Sequence, residues 1–291
     1  MATWHHPKSA ADTEGWTTVV GANTEGWEHT GLRVGELGAG GRLDLPAAPV
    51  ERIVVPLTGA FDVLPDSGGQ IRLDGRPSVW SGPSDIAYVG PGQGFAITGQ
   101  GRVAVAEAAA AEPRPARRLA AADIPVELRG AGASSREVRN FGTPGVLEAE
   151  AIIACEVLTP AGNWSSYPPH KHDEELEGRE TELEEIYYFE LRPTVQGAGD
   201  PIGYQRVSAS PGRDIDVLAE VRDGDVVLVP FGWHGPSMAA PGYDMYYLNV
   251  MAGPGRERAW RISDHPDHAW VRRTWEGQPV DPRLPFGSGT R

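Results

Sequence analysis

Glycine and proline interrupt this chain so often that a helix-dominated fold is disfavoured. Its 291 residues include 37 Gly and 26 Pro, which cost about 1 and about 3 kcal/mol in a helix interior relative to Ala. Between these breaks lie short apolar runs: R-I-V-V-P-L at 52–57, G-A-F-D-V-L at 59–64, S-V-W at 78–80, I-A-Y-V at 86–89 and V-A-V-A-E at 103–107. Gly, Pro, Asp or Ser closes each gap, the rhythm of a sandwich or barrel built from short strands. An all-β fold is expected. Residues 1–48, richer in Gly, Thr and charge, read as edge strands and loops packed on something larger.

The rhythm stops once. From Ala108 to Ala122 the text is A-A-A-A-E-P-R-P-A-R-R-L-A-A-A, which reads as a linker. A second strand-rich block follows, with V-L-E-A-E-A-I-I-A-C-E-V-L at 146–158, E-I-Y-Y-F-E-L at 185–191, I-G-Y-Q-R-V at 202–207, D-V-V-L-V-P at 225–230 and Y-D-M-Y-Y-L-N-V-M at 243–251. The length suits two domains of ordinary size or one large one. Two consecutive blocks of similar strand number point to a duplicated barrel, residues 1–117 and 118–291, without a residue-level repeat. Past Ala252 the chain turns polar and Pro-rich. It is expected to wrap over the barrel or over a second copy in a homo-oligomer, anchored by Trp260, Trp270 and Trp275.

The formal net charge of −14 repels phosphate backbones and anionic headgroups, which argues against nucleic-acid and membrane partners. Cys155 is the only cysteine, so no intramolecular disulfide forms. The opening M-A-T-W-H-H-P-K has no apolar core, and no run is long enough to span a bilayer, so a cytoplasmic protein is expected.

At 167–173 the chain reads Y-P-P-H-K-H-D. In a strand, His170 and His172 point to one face and Lys171 to the other. An H-x-H by itself is more often incidental than a ligand pair. Here E-E-I-Y-Y-F opens a strand on carboxylates at Glu184 and Glu185, and G-D-V-V-L-V-P-F-G-W-H delivers His234 after a Pro/Gly turn. Imidazole nitrogens with a carboxylate suit one divalent ion, Zn, Mn, Fe, Ni or Co, with coordination positions left open.

This layout resembles the cupin superfamily, whose first motif carries H-x-H and a Glu and whose second reads G-x5-P-x-G-x2-H. Gly224, Pro230 and Gly232 match the second motif, but only Trp233 separates Gly232 from His234, one residue short. The acidic stretch 173–183 lengthens the gap before the glutamates and reads as a solvated loop near the metal. Glu184 and Glu185 compete for the carboxylate role; the cupin pattern, with its ligand directly before the aromatic run, favours Glu185.

More narrowly, Y-P-P-H-K-H-D, L-E-E-I-Y-Y, Y-Q-R-V, V-P-F-G-W-H, P-G-Y-D-M-Y-Y-L-N-V-M-A-G and D-H-P-D-H-A-W-V-R-R-T-W with D-P-R-L-P-F are similar to the 5-deoxy-glucuronate isomerase family of myo-inositol catabolism. The resemblance implies a bicupin of two jelly-roll (double-stranded β-helix) barrels with a metal in the C-terminal one alone, which leaves His5, His6 and His29 without a metal role. It also implies an aldose–ketose isomerase acting on a small sugar acid, with the ion held by His170, His172, Glu185 and His234. In that setting Tyr187, on the face of Glu185, either touches substrate or a moving proton or is a core aromatic. Arg206 either grips the substrate carboxylate or is a plain surface arginine. Lys171 is expected in an ion pair, and His265 and His268 in a loop. A metal-dependent oxygenase and a non-catalytic sugar-acid-binding cupin are the competing readings.

Overall fold

Strands that read as unbroken apolar runs do so because both of their faces are buried. The computed structural model describes residues 4–8, 14–21, 23–197 and 199–287. Along Val226–Val229, Val226 and Leu228 enter one apolar cluster and Val227 and Val229 another. Tyr246 and Leu248 likewise face the first cluster, while Met245 and Tyr247 face the second. In the N-terminal half, Ile53 and Val55 join the first cluster as Val54 joins a third. The second and third clusters fill the two barrel interiors. The first is the seam where one sheet of each barrel packs back to back.

The N-terminal sheet runs Trp16–Val20, Thr30–Leu45, Phe95–Ala109, Val50–Pro65, Ile86–Val89, Arg117–Leu119, with Ile71–Arg76 paired to Val50–Pro65. Its register slips between Leu37 and Gly41 and between Pro56 and Thr58. Such irregularities bend long strands, so one sheet curls around its own core. At Gly59, φ is +84° and an added Cβ would lie 1.9 Å from the Gln100 carbonyl oxygen, so the bend requires glycine.

The C-terminal barrel has two antiparallel sheets. One runs His5–His6, Val226–Val229, Glu184–Pro193, Tyr243–Ala252, Ile153–Thr159, Arg136–Gly142, Val126–Arg129. The other runs Arg213–Val221, Gly203–Ser210, Trp233–Ala239, His170–Lys171, Ser263–Asp264. The all-β bicupin architecture expected above is thus the one found.

Several local expectations are corrected. Ser78–Trp80 is not a strand: Val79–Ser81 form a 3-10 turn that sets Trp80 against Tyr246 and Phe286. In 146–158 the strand begins only at Ile153. Thr30–Leu45, placed among edge strands and loops, has strand neighbours on both sides. Conversely, His5–His6 leaves its own half and edges the C-terminal sheet. The supposed linker still carries strand at both ends, since Phe95–Ala109 runs into it and Arg117–Leu119 pairs with Ile86–Val89.

The seam also holds hydrogen-bonded charges. Glu51 accepts hydrogen bonds from the backbone N–H groups of Glu150, Ala151 and Ile152 at 2.9, 2.6 and 2.6 Å and from the Tyr88 hydroxyl at 2.7 Å. Glu184 does the reverse from the other barrel, accepting from the N–H groups of Glu28, His29 and Thr30 at 3.1, 2.8 and 2.6 Å. Arg76 with Glu156 adds a buried ion pair across the seam, and Arg102 with Glu190 a partly buried one. Glu51→Ala would strand three backbone donors and a phenol, at ~1–3 kcal/mol for each buried group left unsatisfied. Allowing for water replacing part of the loss, urea unfolding should register a drop of roughly 3–5 kcal/mol. A drop below about 1 kcal/mol would show that the carboxylate does not tie the barrels together.

Candidate metal centre and its cavity

Strand alternation sorts the two competing glutamates. On Glu184–Pro193, Glu184 points to the seam and Glu185, with Tyr187 and Phe189, into the C-terminal barrel. There Glu185 meets three histidines carried by the opposite sheet. His170 and His234 are direct cross-strand partners, and His172 follows on the same face as His170. The turn before His234 is made by glycine: at Gly232, φ is +97° and a Cβ would stand 2.6 Å from the Ser208 carbonyl oxygen. Gly235, directly after His234, has φ +93° and would place a Cβ 1.8 Å from the Ser166 oxygen.

Each imidazole is oriented from behind by a backbone carbonyl. His170 Nδ1 lies 3.5 Å from Pro168 O, His172 Nδ1 2.9 Å from Leu183 O, and His234 Nδ1 3.1 Å from Gly232 O. A carbonyl only accepts, so this arrangement favours the proton on Nδ1 and turns the Nε2 lone pairs inward, the usual support for a metal-ligating histidine. The donor atoms of His170, His172 and His234 lie within 4.8 Å of one another. Glu185 Oε2 lies 3.1 Å from His172 Nε2 and 3.2 Å from His234 Nε2. His234 Nε2 is nonetheless buried without a hydrogen-bond partner, an orphaned donor atom of the kind a metal ion satisfies. Burial would raise the Glu185 carboxyl, but His172 and His234 outweigh it and hold it at about 2. Burial and the two neighbouring imidazoles push His170 well below its ordinary value, while Glu185 raises His172 against the effect of burial. These residues fit a divalent ion in both number and chemistry.

Beside the cluster opens a cavity of about 240 Å³ lined by His170, Glu185, Tyr187, Ser166, Tyr247 and Asn249, and by Arg129, Arg136, Arg272, Trp260 and Ile262. Glu185 is the only carboxylate in that lining. The Tyr187 hydroxyl is 3.2 Å from Ser166 Oγ, which is also 3.2 Å from the Tyr247 hydroxyl. Burial and then the nearby Glu185 charge push the Tyr187 phenol well above its ordinary value, so it is an O–H group at neutral pH.

Arg206 is not brought to this cavity. It alternates with buried Gln205 and Val207, and its guanidinium is bonded to Asp216, to Val207 O at 2.8 Å and to Val217 O at 2.9 Å. The arginines that do line it were missed in the sequence. Their signal is visible in retrospect as cationic residues within strand text, V-E-L-R at 126–129 and R-E-V-R at 136–139, where Arg136 and Val138 share the inner face. The tail supplies Trp260, Ile262 and Arg272, because Ser263–Asp264 pairs with His170–Lys171 and carries the chain across the barrel mouth. Trp275 lies beneath Arg136 and Arg272, whereas Trp270 is exposed.

Lys171 points away from the cluster, as its parity requires, and its ammonium contacts Asp173, Glu174 and Glu180 at 2.7, 2.5 and 2.8 Å. The acidic stretch 173–183 is therefore not simply a solvated loop. Glu180 is buried and accepts from the Asp173 N–H, and Asp173 accepts from the Gly232 N–H at 2.9 Å. The insertion folds around Lys171 and returns at Leu183, whose N–H donates to His172 O at 2.8 Å. His265 meets the Trp233 ring edge-on and His268 lies tilted beside Tyr167, and both belong to neither the histidine-rich nor the acid-rich cluster among the described residues.

Two β-barrels back to back, with a three-histidine, one-glutamate cluster beside an arginine-lined cavity, define a cupin-type protein whose cluster has the donor set of a metal site. Comparison with known proteins makes this more specific. The sequence pattern of the KduI/IolB family matches residues 4–271, and the chain belongs to that family. It is 37% identical over 268 residues to a 5-deoxy-glucuronate isomerase of Geobacillus kaustophilus, covering 91% of this chain and 94% of the relative. The corresponding protein of Halalkalibacterium halodurans is 36% identical over 271 residues, 91% of this chain and 97% of the relative. Among solved structures, an IolB-like protein from Salmonella typhimurium LT2 superposes with a TM-score of 0.84 at 33% identity, over 93% of this chain and 99% of the other. The oxalate decarboxylase of Lactobacillus farciminis, with a TM-score of 0.63 at 13% identity over 96% and 97% of the two chains, shares the fold.

The two adjacent glutamates should separate cleanly on mutation. Glu185→Ala should weaken divalent-ion binding, measured by equilibrium dialysis and elemental analysis, by more than the ~10–100-fold typical of losing a mere supporting partner, with the fold retained. Glu184→Ala should bind the ion normally and unfold at lower urea. The opposite pattern would mean that the strand phase is wrong.

Proposed function

We propose that this protein is a 5-deoxy-glucuronate isomerase that converts 5-deoxy-D-glucuronate to 2-deoxy-5-keto-D-gluconate, an aldose–ketose shift. The observation that carries the reading is the junction of the His170–His172–Glu185–His234 cluster with a small cationic cavity in a chain 37% identical to proteins of that name. We further propose that residues 1–117 and 118–291 form the two barrels, apart from His5–His6 and the strand Arg117–Leu119, which cross that boundary, with one divalent ion, Zn, Mn, Fe, Ni or Co, in the second. Once bound, such an ion supplies Lewis acidity toward adjacent carbonyl and hydroxyl oxygens.

The chain's own residues do the rest. In the net reaction a hydrogen leaves the hydroxyl-bearing carbon and arrives at the neighbouring carbonyl carbon, while the hydroxyl proton passes to the former carbonyl oxygen. Tyr187 enters the cavity as an O–H group held by Ser166, suited to donate to a substrate oxygen as charge builds there. Glu185 completes the ligand set and supplies the only anionic charge in the lining. Apolar side chains, Val138, Val157, Trp260 and Ile262, limit water around the reacting carbons.

Metal-loaded protein incubated with 5-deoxy-D-glucuronate under argon should form the ketose, followed by NMR. Failure under argon with turnover in air would replace the isomerase by an oxygenase. His234→Ala should fold, because the barrel core and not the ion holds the structure, yet be inactive at any substrate concentration. Tyr187→Phe should lower kcat by ~10²–10⁴, the range for a proton-transfer group, with KM little changed. An unaltered kcat would return Tyr187 to the role of a core aromatic.

A further inference from the structure

The cavity holds a guanidinium that forms no ion pair with a carboxylate among the described residues. Of its three arginines, Arg129 is paired with Glu127 at 2.9 and 2.7 Å, and Arg272 is gripped at both ends by Asp264, with Nη2 at 2.6 Å from Oδ1. Arg136 has no carboxylate partner among the described residues. Its protein hydrogen bond runs from Nη1 to the Ser134 carbonyl oxygen at 3.1 Å, and its guanidinium lies 5.6 Å from the Trp275 ring centroid. It is only 6% exposed. An uncompensated buried cation is destabilising and is kept where an anion comes to meet it. Burial and the flanking Arg129 and Arg272 charges lower its pKa to about 10, so it still carries its proton at neutral pH.

The surroundings define the anion. A cavity of about 240 Å³ has room for roughly eight waters at ~30 Å³ each, hence for one small molecule. The guanidinium fork matches a planar carboxylate bidentately, which an ammonium does not. The Trp275 ring lies against this guanidinium, and Arg272 lies over the same ring at 5.2 Å. The residue count along the strand keeps Arg136 on the inner face with Val138, while Arg139 bonds to Val79 O and Gly82 O in the seam.

We propose that Arg136 is the carboxylate anchor of the site: a sugar-acid substrate pairs its carboxylate with this guanidinium while its carbonyl end reaches the histidine–glutamate cluster. The assignment rests on the sugar-acid reading above and deepens it. Arg136 thereby sets specificity, accepting the acid and rejecting the neutral aldose of the same shape.

The test uses full-length Arg136→Met and Arg136→Lys with wild type as control. If wild type turns over 5-deoxy-D-glucuronate, Arg136→Met should raise KM about 100-fold, or ~2.8 kcal/mol at ~1.4 kcal/mol per tenfold. Its kcat and metal content should stay close to wild type, and Arg136→Lys should fall between. Binding of D-glucuronate and of D-glucose, measured by calorimetry on each protein, tests the anchor without turnover, so its failure is separable from failure of the isomerase reading. Wild type should bind the acid and not the neutral sugar, and Arg136→Met neither. Unaltered KM, or wild-type affinity for D-glucuronate in folded Arg136→Met, overturns the assignment. Unfolding of Arg136→Met together with wild-type acid binding by Arg136→Lys would also overturn it, by showing that the charge serves the fold alone.

Discussion

Everything in this molecule depends on strands that are buried on both sides. Glu184–Pro193 shows the constraint most clearly. One face closes the seam between barrels through Glu184, Ile186 and Tyr188, and the other builds the site through Glu185 and Tyr187. A shift of one residue would send Glu185 into the seam and Glu184 into the histidine cluster. The carboxylate grip of Glu184 on three consecutive backbone N–H groups joins the two barrels from one face of the strand. Glu185 stands on the other face, and the register of both is held by strand pairing along the whole of Glu184–Pro193.

Charge is arranged by the same economy of position. The protein carries a net −14, yet its cavity is lined by three arginines and a single carboxylate. The excess acid lies elsewhere, much of it on solvent-facing loops and some, like Asp173 and Glu180, folded around Lys171 behind the cluster. The pocket is thus locally cationic in a protein of strongly negative net charge. The tail completes this pocket: Ser263–Asp264 pairs beside His170, and Asp264 in turn orients Arg272. The barrel mouth and the binding wall are consequently one structure.

The sequence was most legible where chemistry and period coincide. H-x-H, the E-E pair before an aromatic run and a Gly-containing turn before His234 each carry both a donor and a strand phase, and the structure brings all four side chains together. It was least legible where the partner is distant. Nothing near Arg206 announces Asp216 ten residues on, across a hairpin, and nothing near Arg136 announces Trp275 in the tail. Local text also misled where a small apolar group serves a turn, as in Val79–Ser81. His5–His6 is the extreme case, since its pairing with Val226–Val227 joins segments far apart in the chain and has no local signature.

The central claim is that three carbonyl-oriented imidazoles and the inward glutamate of a two-faced strand form one metal site. Anomalous diffraction from crystals of the metal-loaded protein tests it most directly. The account predicts a single strong peak within bonding distance of Nε2 of His170, His172 and His234 and of the Glu185 carboxylate, with Glu184 still bonded to residues 28–30. A peak coordinated through Nδ1 atoms, or one centred on Asp173, Glu174 and Glu180 with Lys171 displaced, would contradict it.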